Sequence, residues 1–261
     1  MITGLFQYRS FIWRNALHDF RHRYAAAGMG ALWNIIHPIA MIAIYAVVFT
    51  SIMKPRLPND SSKFGYILYL CAGIIPWTAF AECVTRGCFS FIANAGYLKK
   101  LPIPEPVFVA QEAVSSLITS MIGFGLLILF ATCTGHWPML PWLLVPVCLI
   151  CLLALGFSIG LLLGTLNVFF RDIQEWVGIV LQAVMWTAPV VYVGNILPED
   201  YQSALKFHPL VPALSAIRGL FLEGRWLMTW EWIGMLVWPV GIAAISGLVL
   251  RGLRDEIRDV I

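Results

Sequence analysis

Charged residues are scarce in this chain. They make up 12% of its 261 residues, against about a quarter in an ordinary soluble domain. Residues 113–170 contain no Asp, Glu, Lys or Arg at all. A hydrocarbon core about 30 Å thick is crossed by roughly 20 apolar helical residues, so this run supplies two spans and a turn. The shortage of charge excludes a soluble domain and predicts an all-α integral membrane protein.

The motifs of nucleotide hydrolysis and of zinc-dependent hydrolysis are also absent. No GxxxxGK[ST] sequence occurs and no glycine is followed by lysine, so the chain lacks a P-loop for nucleotide phosphates. No HExxH sequence is present either. We therefore expect no enzymatic activity, no metal or cofactor site and no nucleic-acid partner.

Acidic and basic residues are nearly missing from the apolar windows, where they would mark ion or proton paths. Glu82 and Glu112 lie near the ends of two windows, with Arg86 close by in the sequence. We interpret them as interfacial ion pairs in preference to proton carriers. Energy for any uphill transport is then expected from another subunit.

The apolar windows predict six membrane spans. The longest window divides at a cluster of turn-forming residues at 134–141. The residues outside the expected spans include an outer segment at about 198–231, in which 212–222 has a helical pattern too short to cross. The spans of the resulting 31–261 permease domain are expected at about 31–53, 64–84, 107–132, 142–168, 176–196 and 232–250.

The distribution of Lys and Arg predicts the orientation of these spans. With both termini inside, the inner segments hold eleven of the 17 Lys and Arg and the outer segments hold six. Because positive residues are retained in the cytoplasm, both termini are expected there. Residues 1–30 form a separate region whose apolar arc, including Phe6, Ile12, Trp13 and Ala16, predicts an amphipathic helix in the membrane interface.

Three segments carry a resemblance to a known family. They are DFRHRY (19–24) with GALW (30–33) and Pro38, then NVFFRDI (167–173), then APVVY (188–192) with FHPL (207–210) and Arg218. The chain resembles the membrane subunit of polysaccharide exporters within the type-2 ABC exporter permease family. The third segment departs from the family pattern by having Ala188 for Ser and His208 for Asn.

The resemblance implies a function and a set of partners. It implies a homodimer in a bacterial cytoplasmic (inner) membrane, joined to two ATP-binding-cassette subunits that bind ATP and Mg. The cargo would be a polyprenyl-diphosphate-linked polysaccharide of O-antigen, capsule or teichoic acid type, and short re-entrant helices would help close the outer side. Two alternatives stay open, namely export of a drug or small lipid and an integral membrane enzyme acting on polyprenyl lipids.

Three groups of candidate residues follow from this reading. Residues expected to fix the turn after the fourth span are Asn167, Arg171 and Asp172. Aromatic residues expected to face cargo, because sugars stack on flat rings, are Tyr45, Phe49, Trp186 and Tyr192. Six residues are expected to dock the ATPase subunit. They lie on the N-terminal helix and on the segment before the stiff stretch of Pro102, Pro104 and Pro106, and they are Arg14, His18, Arg21, Asn94, Lys99 and Lys100.

A track of small residues completes the sequence evidence. Gly156, Gly160 and Gly164 recur at every fourth position of the expected fourth span. This spacing places them on one face, where the absence of side chains lets another helix approach closely. We therefore expect a tight helix–helix contact along this track.

Overall fold

The fold is built from helices. The computed structural model describes residues 2–22, 28–48, 64–193 and 198–260, and all regular secondary structure in these ranges is helical. Short 3-10 turns at Gly30–Leu32 and Leu140–Leu144 precede α3 and α7. The α-helices are α1 Ile2–Gln7, α2 Arg9–His22, α3 Trp33–Val47, α4 Gly65–Ala93, α5 Ala95–Lys100, α6 Pro106–Cys133, α7 Val145–Asn167, α8 Ile173–Thr187, α9 Glu199–Leu205, α10 Val211–Phe221 and α11 Thr229–Val260.

Four of the described helical segments are long and apolar enough to cross a membrane. They are Gly65–Ala93, Pro106–Cys133, Leu140–Asn167 and Thr229–Arg254. They correspond to the expected second, third, fourth and sixth spans. The second continues beyond its expected end at 84, because Glu82 and Arg86 are paired one turn apart within the helix and do not interrupt it. The chain is therefore a multi-pass membrane protein.

The described helices in the expected first and fifth spans are shorter than those spans. Helices α3 and α8 have 15 residues each, about 22 Å of helix against a hydrocarbon core of about 30 Å. The fifth was expected to continue to 196, but α8 ends at Thr187. Ala188 is extended because it precedes Pro189, and a residue before proline is disfavoured in the helical region. The remainder of the first span, including Phe49, lies outside the described residues.

The glycine track brings α7 against α4, as expected. A Cβ built on Gly160 would lie 3.2 Å from the Cα of Gly87 in α4, and one on Gly164 would lie 2.7 Å from the Gly87 carbonyl oxygen. Backbones this close leave no space for side chains on either helix. The other long helices pack around this pair, with α6 against α4 and α11 against α7.

The N-terminal region forms two helices that turn at Tyr8 and pack against α6. Ile12 and Ala16 are buried, whereas the side chains of Phe6 and Trp13 are 69% and 55% exposed. The predicted apolar arc is therefore divided between a face on the bundle and a face away from it. We call the end of the bundle where α2, α5 and the last turns of α11 share one apolar cluster the N-terminal end.

The opposite end contains the short helix α10. Its residues are almost entirely buried against α4, α7 and α11, although eleven residues are too few to cross a membrane. Pro212 occupies the first turn, where its missing N–H costs no hydrogen bond. The helix overlaps the helical pattern predicted at 212–222 and forms part of the main core.

Candidate functional site

The docking candidates of α2 and α5 lie at the same end of the bundle. Both helices pack on Phe108 of α6, whose ring is 6.4 Å from Phe11 and 6.5 Å from Tyr97, between centroids. Ile12, Ala16 and Leu98 of these helices are buried, whereas their described basic side chains are exposed. The exposed candidates are Arg14, His18, Arg21, Lys99 and Lys100.

Asn94 differs from the other docking candidates, because its side chain is used within the fold. Its side-chain amide nitrogen donates to the Ser90 carbonyl at 2.8 Å, and its main-chain carbonyl accepts the backbone N–H groups of Tyr97 and Leu98. The residue therefore closes α4 and begins α5. It sets the direction of the short helix that carries Lys99 and Lys100.

A cluster of ionic residues joins α2 to the bundle. The Arg86 guanidinium of α4 is 2.7 Å from an Asp19 carboxylate oxygen, 2.6 Å from Glu112 of α6 and 3.5 Å from Glu82. The second oxygen of Asp19 accepts a hydrogen bond from Ser115 at 2.7 Å. The Glu82 and Glu112 side chains are thus in ion pairs, as interpreted from the sequence.

Asp19 had no functional assignment from the sequence, although it begins the first resemblance segment. Ile12, Ala16 and Asp19 are spaced at i, i+4 and i+7, so they share the face of α2 that meets the bundle. A carboxylate at the end of an apolar stripe was the signal that pointed to a partner. The sequence could not identify the partner, because Arg86 is 67 positions away.

The three residues expected to fix the turn after α7 have different environments. Asn167 is fully buried, and its amide nitrogen donates to the Cys88 carbonyl of α4 at 3.2 Å. It therefore joins α7 to α4. Arg171 and Asp172 are exposed, and in the described part of the chain neither side chain has a hydrogen bond or an ion pair.

The third resemblance segment lies at the opposite end. Residues 188–193, here called the connector, leave α8 and run against α4 and α10. The Tyr192 hydroxyl returns to donate to the Trp186 carbonyl at 3.0 Å, which satisfies one of the last acceptors of α8. Arg218 of α10 is buried against the connector.

His208 replaces the expected asparagine without loss of its local hydrogen bond. Its Nδ1 accepts the backbone N–H of Leu210 at 3.2 Å. Asparagine makes the same contact, with its own backbone two residues on, in an Asx-turn. Burial lowers the pKa of His208, which keeps the imidazole in the neutral form that this acceptor role requires. The substitution therefore preserves the start of α10.

An ion pair closes the loop between α10 and α11. Glu231 is fully buried and accepts hydrogen bonds from Arg225 at 2.8 Å, from the Ser215 hydroxyl at 2.7 Å and from the Met228 N–H at 2.8 Å. The hydrogen bond to Glu231 raises the pKa of Arg225. Every strong acceptor position of this carboxylate is thus occupied, as a buried charge requires.

The cargo candidates are distributed over two places in the described chain. Tyr45 of α3 is partly buried and lines a cavity of about 90 Å³ between α3, α4 and α6, together with Thr78 and Glu82. Trp186 of α8 is 58% exposed. Tyr192 is partly buried at the end of α8, and the structure does not describe Phe49.

Metal-binding chemistry has no support in the described ranges. No group of three or more His, Cys, Asp or Glu side chains there could hold a metal ion. The cysteines at 71, 83, 88, 133, 148 and 151 are all free thiols. The polar geometry of the two ends consists of contacts that position helices.

Comparisons with known proteins match almost the whole chain. The profile of the ABC-2 type transporter family matches residues 7–222. The O-antigen export system permease protein RfbA of Klebsiella pneumoniae is 30% identical over 233 residues, which cover 89% of this chain and 87% of the relative. RfbA of Myxococcus xanthus is 25% identical, with 86% and 85% covered. The polysialic acid transport protein KpsM of Escherichia coli is 23% identical, with 92% of each chain covered.

Proposed function

The chain belongs to the ABC-2 type transporter family, and from this premise we propose that it is the permease subunit of an ATP-driven polysaccharide exporter. The polysaccharide would be of O-antigen or capsule type, linked to a polyprenyl diphosphate lipid. It would move outward across the bacterial cytoplasmic membrane.

One observation carries this proposal. Proteins named as permeases of O-antigen export in two organisms align with 86% to 89% of this chain and with 85% to 87% of their own length. A protein named for polysialic acid transport aligns over a larger share. Alignment from end to end includes both ends of the bundle, and so favours a shared architecture over a shared fragment.

In the proposed complex, the N-terminal end faces the cytoplasm and meets a separate subunit that binds ATP and Mg. The exposed cations Arg14, Arg21, Lys99 and Lys100 support this docking surface, since α2 and α5 both rest on Phe108. Arg86 then connects the surface to α4 and α6 through Asp19 and Glu112. A force on α2 would reach two membrane helices through one side chain.

The proposed permease acts as a homodimer in which α3 and α8, with residues beside them, complete the six spans. The exposed Trp186 of α8 supports a cargo-facing or partner-facing role for that helix. The buried α10, too short to cross, supports a re-entrant outer segment. Cargo would pass between the two copies.

Deletion and complementation of the gene test the proposed function. Loss of the chain should remove surface polysaccharide and leave lipid-linked polysaccharide inside the cell, and the wild-type gene should restore export. Unchanged surface polysaccharide with altered drug resistance or lipid content would favour the small-molecule alternative. Loss of polyprenyl-lipid synthesis, with no internal accumulation, would favour a membrane enzyme.

Charge reversal tests the docking surface separately. Arg21→Glu combined with Lys99→Glu should weaken co-purification of the ATPase subunit without lowering membrane insertion, because both positions are exposed. Lys206→Glu, which is the same charge reversal as either single substitution but at an exposed position of the opposite end, is the control. Unchanged recovery of the ATPase subunit with the double variant would refute this surface.

A further inference from the structure

The connector after α8 has an unusual source of hydrogen bonds. Each of its carbonyls from Pro189 to Tyr192 accepts a hydrogen bond from a side chain. Arg218 donates to Pro189 at 2.5 Å and to Val190 at 2.6 Å, the Tyr66 hydroxyl donates to Val191 at 3.4 Å, and the Tyr69 hydroxyl donates to Tyr192 at 3.2 Å. The carbonyls of this stretch are thus satisfied by side chains and not by main-chain N–H groups.

The origin of this arrangement is local. Pro189 lacks an N–H and holds Ala188 in an extended conformation, and the chain beyond it does not continue the helical hydrogen bonds. Ala188 and Val190 are fully buried at this point. Buried carbonyls without partners are costly, so side chains from neighbouring helices must provide donors.

Arg218 is buried as a cation without an anion beside it. Its side chain is 6% exposed, and within the described ranges no carboxylate lies within ion-pair distance. Its Nε donates to the Tyr69 carbonyl at 3.3 Å, and its guanidinium carbon is 3.9 Å from the centre of the Tyr69 ring. Carbonyl dipoles and the negative face of an aromatic ring therefore compensate the charge.

A glycine provides the space for the guanidinium. A Cβ added to Gly73 of α4 would collide with the Arg218 Nη2 and with the Val190 carbonyl oxygen. Gly73 therefore allows α4, the connector and α10 to meet at one point. Only the planar fork of arginine has donors arranged to bond Pro189, Val190 and Tyr69 together.

We propose that Arg218 is a positioning residue that fixes the broken end of α8 to α4 and α10, so that these three elements move as one unit during transport. The transport role rests on the proposed function, whereas the joint itself does not. Because Trp186 and the connector are part of this unit, the joint also sets the position of the α8 surface that would face cargo or the second copy. The outer segment then cannot open independently of α8.

Hydrogen exchange in the full chain, reconstituted in lipid nanodiscs, measures the joint directly. The amides of Ala188 and Val190 bond to the carbonyls of Val184 and Ala188 and report on the end of α8. Arg218→Gln should accelerate their exchange by about tenfold or more, because the end of α8 then opens locally without having to break the hydrogen bonds of the guanidinium. Lys206→Gln, which also changes a cation to an amide but at an exposed position, should leave the exchange unchanged.

Arg218→Lys separates the charge from the fork. It should also exchange faster than the wild type, because a compact ammonium cannot bridge the same carbonyls. Wild-type exchange in both Arg218 variants would overturn the proposal. If they do not accumulate, Gly73→Ala and Tyr69→Phe test the same joint without removing the cation, and wild-type exchange in both of them would overturn it equally.

Export provides the second measurement. With the ATPase subunit present, the variants should hydrolyse ATP while exporting less polysaccharide per ATP at equal abundance. A purely structural residue would change abundance and leave this ratio unaltered, which would overturn the transport role. Faster exchange in variants of a chain whose wild type exports no polysaccharide would instead refute the proposed function and leave the joint in place.

Discussion

Removal of the Arg86 charge should destabilise the chain and should reverse the sign of the effect that Asp19→Asn has on its stability. Arg86 compensates Asp19, Glu82 and Glu112, and the Glu112 side chain is only 8% exposed. Removing one partner of a buried pair costs about 3 to 5 kcal/mol. Because Arg86 and Asp19 are each about a quarter exposed, solvent screens part of this cost, and we expect about 2 kcal/mol for Arg86→Gln.

The effect of Asp19→Asn should depend on which residue occupies position 86. In the wild type, it removes an ion pair at 2.7 Å and should cost about 1 kcal/mol. In the Arg86→Gln background, Asp19 is an extra negative charge near Glu82 and Glu112. There the same substitution should stabilise the chain by roughly 0.5 to 1 kcal/mol.

Equilibrium unfolding in mixed micelles, with increasing dodecyl sulfate and helix content as the signal, measures the four proteins of this cycle. The coupling energy should be about 1.5 to 2 kcal/mol, within the range of residues in direct contact. Additive effects, or destabilisation by Asp19→Asn in both backgrounds, would refute the assigned ion pair. Ser115→Ala serves as a milder check on the second Asp19 oxygen.

Three further predictions concern packing, the start of α10 and the cargo path. Gly164→Ala should lower the free energy of unfolding by about 1 to 3 kcal/mol, because its methyl group would meet the backbone of α4. Gly178→Ala is the control, because a methyl group there meets open space, and it should be neutral or stabilising by up to about 1 kcal/mol. His208→Leu should lower the free energy of unfolding by about 1 kcal/mol, and His208→Asn should lower it much less. Because burial lowers the pKa of His208 in the folded chain, the wild type should lose stability as the pH drops below about 6.5, where the imidazole of the unfolded chain binds a proton first. Trp186→Ala should reduce surface polysaccharide while protein abundance and ATP hydrolysis stay normal. Normal export by this variant would mean that the exposed Trp186 side chain contacts lipid or another helix and not the cargo.

The sequence by itself determined the class of the protein and much of its helix layout. A run of 58 uncharged residues, 113–170, leaves no option except membrane helices, because the backbone must satisfy its own hydrogen bonds in lipid. The third and fourth spans were recognisable for that reason, and the second and sixth were recognisable from shorter windows without charge. The spacing of Gly156, Gly160 and Gly164 likewise predicted a close helix contact, since the period of the helix fixes which residues share a face.

The tertiary structure decided which distant residues meet. Asp19 is 67 positions from Arg86 in the sequence. Arg218 is 29 positions from Pro189 and 28 from Val190, whose carbonyls it bonds. No local periodicity links either set of residues. Local pattern also overestimated α8, where Pro189 ends a helix that hydropathy alone would have continued to 196. Hydrophobicity is a property of each segment, whereas the partners of a buried charge are set by how the segments pack. The contacts of Asp19 with Arg86 and of Arg218 with the connector, at the two ends of this bundle, therefore depend on the packing.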